Sequence, residues 1–197
     1  MRLILIGPDK AGKSTLARNL HEIFGGALIH AKRIPSQPTL VAYVKSTMKM
    51  INEGVDFPID PKGTEYVNPS HPIIFDRFNY PDDLIYEPIV EGRPSPLSDI
   101  TNEIENNLIA NKFIFVYVTA NWDCILQRYR DEGDHYVDEE QLIKTYNEYQ
   151  GFEQRTAVPL VGVNTSYADE ASVVHQVIKS LAQIYAKWIA LRDVEEV

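Results

Sequence analysis

"GPDKAGKST", residues 7–15, stands between the apolar run "MRLILI" and the segment "LARNLHEIF". The first neighbour has the length and continuous apolar character of a strand buried on both faces. In the second, Leu16, Leu20, Ile23 and Phe24 recur at helical spacing. The stretch between them contains Gly7-x-x-x-x-Gly12-Lys13-Ser14, the spacing of a phosphate-binding loop in the strand-to-helix context that such a loop requires. Its glycines let the main chain wrap around phosphate oxygens, and the exposed N–H groups and helix N-terminus attract the anion. Lys13 adds a point charge, and Ser14 offers a hydroxyl to magnesium. Gly7, Pro8, Asp9, Lys10, Ala11, Gly12, Lys13, Ser14 and Thr15 are therefore the expected ATP-binding residues, with Mg2+ as cofactor and ATP as donor.

Outward from this loop the chain alternates strand and helix. "GGALIHA" (25–31) reads as a second strand, "TLVAYVKSTMKMINEG" (39–54) as a helix and "HPIIFDRF" (71–78) as a third strand. Residues 55–71, with three prolines and little periodicity, read as a surface loop. "LSDITNEIENNLIAN" (97–111) carries a helical stripe, and "KFIFVYVTA" (112–120) is the clearest strand. Two helices at 121–133 and 138–152, a fifth strand "LVGVNTS" (160–166) and a long helix over 169–192 complete the chain. This alternation predicts an α/β fold: a three-layer sandwich with a five-stranded parallel sheet, helices on both faces and a short lid, all within one domain.

The sequence has 197 residues, of which 44% are hydrophobic, enough for one substantial core. Its 28 acidic and 19 basic side chains give a formal charge of −9, which opposes non-specific attraction to nucleic acid. Cys124 is alone and has no internal disulfide partner, and no apolar run approaches the roughly 20 residues of a membrane span. A reducing cytoplasm and no membrane partner are the expectation. "NKFI" (111–114) begins like the guanine-reading motif of GTP-hydrolysing switches but lacks its aspartate.

At the carboxyl end of the third strand, "PIIFDRF" places Asp76 and Arg77 on the edge where open α/β sheets bind ligands. A carboxylate there can hold a magnesium-bound water or take a proton from the attacking oxygen. The arginine can fork onto an acceptor phosphate.

With these residues the chain resembles the thymidylate kinases within the P-loop nucleoside and nucleotide kinases. The resemblance rests on "GPDKAGKST", on "RIPSQPT" (33–39), similar to an Arg-x-Pro segment after strand two, and on "DRF" (76–78). It implies that Asp9 lies near the acceptor sugar, that Lys10 touches the transferred phosphoryl, and that Arg33 and Arg77 grip the acceptor phosphate. "QRYRDEGDHY" (127–136) falls where such kinases carry a lid (about 128–138), with Arg128 and Arg130 expected to neutralise charge on the phosphoryl oxygens. The expected catalytic set is thus Lys10, Lys13, Asp76, Arg128 and Arg130. The metal would be held by Ser14 and, through water, by Asp76.

After "DRF" the chain departs from that family. "NYPDDLIYEPIVEGRPSP" (79–96) reads as an irregular, acidic insertion (about 79–98) in place of a serine-containing helix. Tyr80, Tyr86 and Arg93 are near enough to line a base pocket there, with Tyr80 the expected acceptor-binding residue. The acceptor therefore stays open between a pyrimidine deoxynucleoside monophosphate, a deoxynucleoside and a hydroxyl on a modified base in DNA. A non-catalytic nucleotide-binding regulator is the alternative from another class. The resemblance also implies a homodimer, through helices 40–54 and 100–110.

Overall fold

The computed structural model describes residues 1–31, 34, 37–59, 62, 65–133 and 136–195, with backbone alone at 37, 38 and 191–195. Strand β1 (Arg2–Ile6) leads through the phosphate loop into α1 (Lys13–Phe24), then β2 (Ala27–Ile29) and α2 (Gln37–Glu53). A small hairpin, β3 (Phe57–Pro58) and β4 (Tyr66–Val67), precedes β5 (Ile73–Asp76) and α3 (Asn79–Val90). A 3₁₀ turn over Ser98–Ile100 opens α4 (Thr101–Ala110), which is followed by β6 (Phe113–Thr119), α5 (Trp122–Glu132), α6 (Glu139–Phe152), β7 (Leu160–Asn164) and α7 (Glu170–Glu195).

The five long strands form one parallel sheet in the order β2-β5-β1-β6-β7, flanked by helices. The central β1 and its neighbour β6 are almost wholly buried, because a parallel sheet covered on both faces needs apolar residues at successive positions and not at alternate ones. With every strand pointing the same way, the loops after β1, β2, β5, β6 and β7 all open at one edge.

Two segments differ from the sequence reading. Residues 55–71 are not only surface: Phe57 is fully buried and stacks on Phe75, with ring centroids 6.4 Å apart. Strands of two residues are too short to show alternation, so periodicity could not reveal them. The proposed irregular insertion is helical over Asn79–Val90. Tyr80 is extended (φ −107°, ψ 127°), as the residue before a proline is driven to be, and Pro81 then opens the helix with its φ already set. Asp82 stabilises the positive end of the helix dipole in the first turn. The buried residues Ile85, Tyr86 and Glu87 anchor the helix.

The proposed lid spans the junction of the two helices that the sequence reading places here. Residues 128–132 are the last turn of α5, and the connection to α6 ends in a capping box. Asp138 Oδ1 accepts from the Gln141 N–H at 2.7 Å, while Gln141 Oε1 accepts from the Asp138 N–H at 3.0 Å. Among the described residues no helix is long and apolar enough to cross a membrane.

Candidate active site

The loop after β1 closes over itself in a way only glycine permits. Gly7 has φ +136°, and a Cβ there would run into the Val118 carbonyl oxygen of the adjacent strand. Gly12 is left-handed (φ 91°, ψ 18°) and begins α1 with no side-chain cap and no acidic residue in its first turn. The first N–H groups of the helix are thus left for an anion. Lys13 is buried, and its Nζ donates to the carbonyl oxygens of Gly7 and Pro8, both at 2.6 Å. Burial, reinforced by the charge of Arg77, pushes the Lys13 ammonium down to about 8 against the pull of Asp9, Asp82 and Asp76.

A cavity of about 490 Å³ spreads over this helix terminus, walled by Lys10, Lys13, Ser14, Arg128 and Thr165 among others. Arg128 is fixed by three hydrogen bonds: to the Lys10 carbonyl at 3.0 Å, to Thr165 Oγ1 at 3.1 Å and to the Thr165 carbonyl at 3.0 Å. Lys10, itself at φ +62°, also pairs with Glu132 at 3.2 Å. The last turn of α5 therefore clamps the phosphate loop. Arg130 is turned away: it lines neither cavity described here and pairs with Glu139 at 3.3 Å on the exposed start of α6.

A second cavity, of about 280 Å³, lies on the side of β2 and α3, with His30, Phe78, Asp82, Tyr86 and Tyr136 in its walls. Asp9 and Arg77 line both cavities, so the two share a wall. Arg77 adopts the left-handed conformation (φ 71°), costly for a side chain with a Cβ and held here by the contacts around it. Its guanidinium donates to Asp9 Oδ1 and, at 3.1 Å, to Asp82 Oδ2. Tyr86 donates to the other Asp9 oxygen at 2.7 Å, and Tyr149 of α6 donates to the other Asp82 oxygen at 2.5 Å. Burial opposes the Arg77 charge, but the surrounding Tyr86, Asp9 and Asp82 raise its pKa well above the usual value. The Asp9 carboxyl is likewise held below its ordinary value: burial would raise it, and Arg77, Lys13 and Tyr86 overcome that.

Because Tyr149 supplies one of the two buried hydrogen bonds of Asp82, Tyr149→Phe is expected to lower stability by about 1–2 kcal/mol. Urea denaturation checks this through a lower midpoint at unchanged slope; an unchanged midpoint would remove Tyr149 from the network.

Asp76 ends β5 beside the loop, in register with Leu5 of β1. Burial pushes its carboxyl up, yet hydrogen bonding from His30 and the nearby Ser14 hydroxyl hold it below the ordinary value. Its Oδ1 is buried without a hydrogen-bond partner among the described residues. An ionised carboxylate beside the Ser14 hydroxyl and the phosphate cradle fits a hydrated divalent cation. Among the described residues no three His, Cys, Asp or Glu side chains cluster as a metal cage. A magnesium ion held mainly by phosphate and water needs none.

Arg33 lies outside the described residues. Tyr80 does not reach the acceptor side: it is fully buried, donates to Glu105 at 2.6 Å and packs against Phe115 and Phe152. The extended residue before Pro81 faces the core, and Tyr86, almost two helical turns along α3, takes the place expected of Tyr80. Arg93 pairs with Glu87 at 2.5 Å on the far end of that helix. His30, Asp82, Tyr136, Tyr149 and Thr165 carry no motif. Their only sequence signal is position: His30 and Thr165 each follow a strand at the ligand-binding edge, and Asp82 follows Pro81 in a helix first turn.

No protein-family model and no curated protein matches the chain. Among solved structures it is similar to the YorR protein of Bacillus subtilis, determined in complex with phosphorylated GDP, with a TM-score of 0.67 and 20% identity over 94% of this chain and 98% of that one. Deoxyadenosine kinase from M. mycoides with bound dCTP is similar at a TM-score of 0.57 and 17% identity, over 93% of this chain and 100% of that one. A gluconokinase from Sinorhizobium meliloti is similar at 0.54 and 13% identity, over 96% of both chains. The five-stranded parallel sheet flanked by helices, with its phosphate loop after the central strand, is the fold of the P-loop kinases.

Proposed function

We propose that the chain transfers the γ-phosphoryl group of ATP to an oxygen of a nucleoside- or nucleotide-sized acceptor: the hydroxyl of a deoxynucleoside or a phosphate oxygen of a deoxynucleoside monophosphate. The observation that carries this reading is the shared wall: Asp9 and Arg77 line both the anion cradle and a second cavity. A donor phosphate in the first cavity and an acceptor oxygen in the second would meet beside them. The acceptor oxygen forms a bond to the γ-phosphorus as the bond from that phosphorus to the bridging oxygen breaks. The electron pair leaves with ADP; a hydroxyl acceptor loses its proton to solvent, and a monophosphate acceptor attacks through an oxygen that is already ionised.

In a loose transition state the protein contributes position and charge. The α1 terminus and Lys13 hold the donor phosphates, and Arg128 adds a fixed positive charge at the other wall. Ser14 and Asp76 would hold magnesium, which when bound neutralises charge on the donor phosphates.

Two acceptors compete. A pyrimidine deoxynucleoside monophosphate follows from the thymidylate kinase resemblance, with Arg33 and Arg77 on its phosphate. An unphosphorylated deoxynucleoside is favoured by the pairing of Arg77 with both Asp9 and Asp82, which already balances its charge. Incubation with γ-labelled ATP, magnesium and each deoxynucleoside, monophosphate and a modified-base DNA in turn separates them. Label on a small acceptor is the expected result, and its identity decides between the two. Label on DNA alone would transfer the reading to a polymer kinase. Binding of ATP without label on anything offered would overturn catalysis and leave a nucleotide-binding regulator.

A further inference from the structure

The two ends of the Asp76–His30 pair differ in how they face the second cavity. Asp76 lines neither cavity, and its side chain is only 9% exposed. Beside it, in the wall of the acceptor cavity, stands His30, whose side chain is 62% exposed. The pairing is imposed by the sheet: β2 and β5 run parallel with Ile29 opposite Phe75, so the next residue of each strand emerges side by side at the ligand edge. His30 Nδ1 lies 3.1 Å from Asp76 Oδ2. An ionised carboxylate only accepts, so Nδ1 carries the hydrogen and donates it. In the neutral ring, Nε2 is then the acceptor. It has no hydrogen-bond partner among the described residues, and the ring that bears it lines the cavity shared with Asp9, Asp82 and Tyr86.

We propose that His30 is the acceptor-binding residue of this site: Nε2 accepts a hydrogen bond from the attacking hydroxyl, while Nδ1, tied to Asp76, holds the ring in place. The proposal rests on the kinase reading for the identity of that hydroxyl, and on the cavity geometry for everything else. It distinguishes the two oxygens of the Asp76 carboxylate. Oδ2 orients His30, and Oδ1 has no hydrogen-bond partner among the described residues. In the same cavity the oxygens of Asp9 and Asp82 already accept from Arg77, Tyr86 and Tyr149.

Two substitutions separate the two ring nitrogens. In His30→Asn the amide reaches the place of Nδ1 and can still donate to Asp76, but nothing occupies the place of Nε2. In His30→Gln the amide reaches the place of Nε2 and loses the place of Nδ1. With ATP as donor and thymidine and deoxycytidine as hydroxyl acceptors, His30→Asn is expected to lower kcat/KM for the acceptor by about 10- to 100-fold, the loss of one hydrogen bond to a reacting group. KM for ATP and the melting temperature should stay at their wild-type values. His30→Gln should recover part of that loss. A fully active Asn variant, or an Asn variant better than Gln, would mean that only the contact with Asp76 matters and would overturn the proposal.

A measurement independent of turnover uses long-range ¹H–¹⁵N spectra of the histidine rings. The His30 Nε2 resonance should move when thymidine or deoxycytidine is added and remain in place with a non-hydrolysable ATP analogue. An Nε2 signal unmoved by both nucleosides would overturn the role of His30 even in an active enzyme. A moved signal in a protein that transfers no label would uphold the role and overturn the kinase reading.

Discussion

Lys13→Ala is expected to abolish phosphoryl transfer while leaving the fold intact: a fall in kcat on the order of 1,000-fold, about 4 kcal/mol of transition-state stabilisation. The ammonium is buried in the first turn of α1 and is satisfied in the empty loop by the Gly7 and Pro8 carbonyls. Phosphate oxygens would take over from those carbonyls. They would also reverse the electrostatics, since burial and Arg77 hold the free Lys13 at about 8. At pH 8 a bound polyphosphate therefore draws a proton onto Lys13. Titration calorimetry in buffers of different ionisation enthalpy should register that uptake in the wild type and its loss in Lys13→Ala.

The same shift has a consequence for the empty protein. Because the folded value is lower than the 10.5 of an unperturbed lysine, the unfolded chain binds more protons between about pH 8 and 10.5. Stability should rise with pH across that window, and below pH 8 the penalty on folding is fully present. Removing the lysine removes the penalty, so the melting temperature of Lys13→Ala at neutral pH should not fall. A variant that loses activity and melting temperature together would assign Lys13 a structural role.

Arg77→Ala is expected to lose stability as well as activity. It strips the only cation hydrogen-bonded, among the described residues, to Asp9 and Asp82, each with a side chain 13% exposed. Breaking a mostly buried pair leaves uncompensated charge, at a cost of about 3–5 kcal/mol. That should lower the melting temperature by on the order of 10 °C. Combining Arg77→Ala with Asp9→Asn removes one of the stranded charges. The double variant should melt above Arg77→Ala by several degrees, whereas additive losses would show that the two side chains act independently.

The legibility of this molecule follows the range of the interactions involved. Residues 7–15 declare their geometry locally: Gly7 and Gly12 occupy backbone conformations that other residues resist, and their spacing to Lys13 and Ser14 is set by one loop and one helix turn. The long strands are legible for a similar reason, since β1 and β6 are buried on both faces and so read as unbroken apolar runs. The helix α3 was hidden because two prolines and three acidic residues outweigh a short apolar stripe, although Pro81 followed by Asp82 is itself a helix-start signal.

What the sequence by itself determined is the phosphate cradle, the α/β alternation and the arrival of Asp76 and Arg77 at the ligand edge, because each depends on residues close together in the chain. Only the tertiary structure decided what faces the acceptor. Strand order sets His30 beside Asp76, α3 turns Tyr80 into the core and Tyr86 into the cavity, and α6 delivers Tyr149 to Asp82 across a separation of 67 residues. Those contacts are made by elements that meet only after the sheet is assembled, so no local pattern in the chain specifies them.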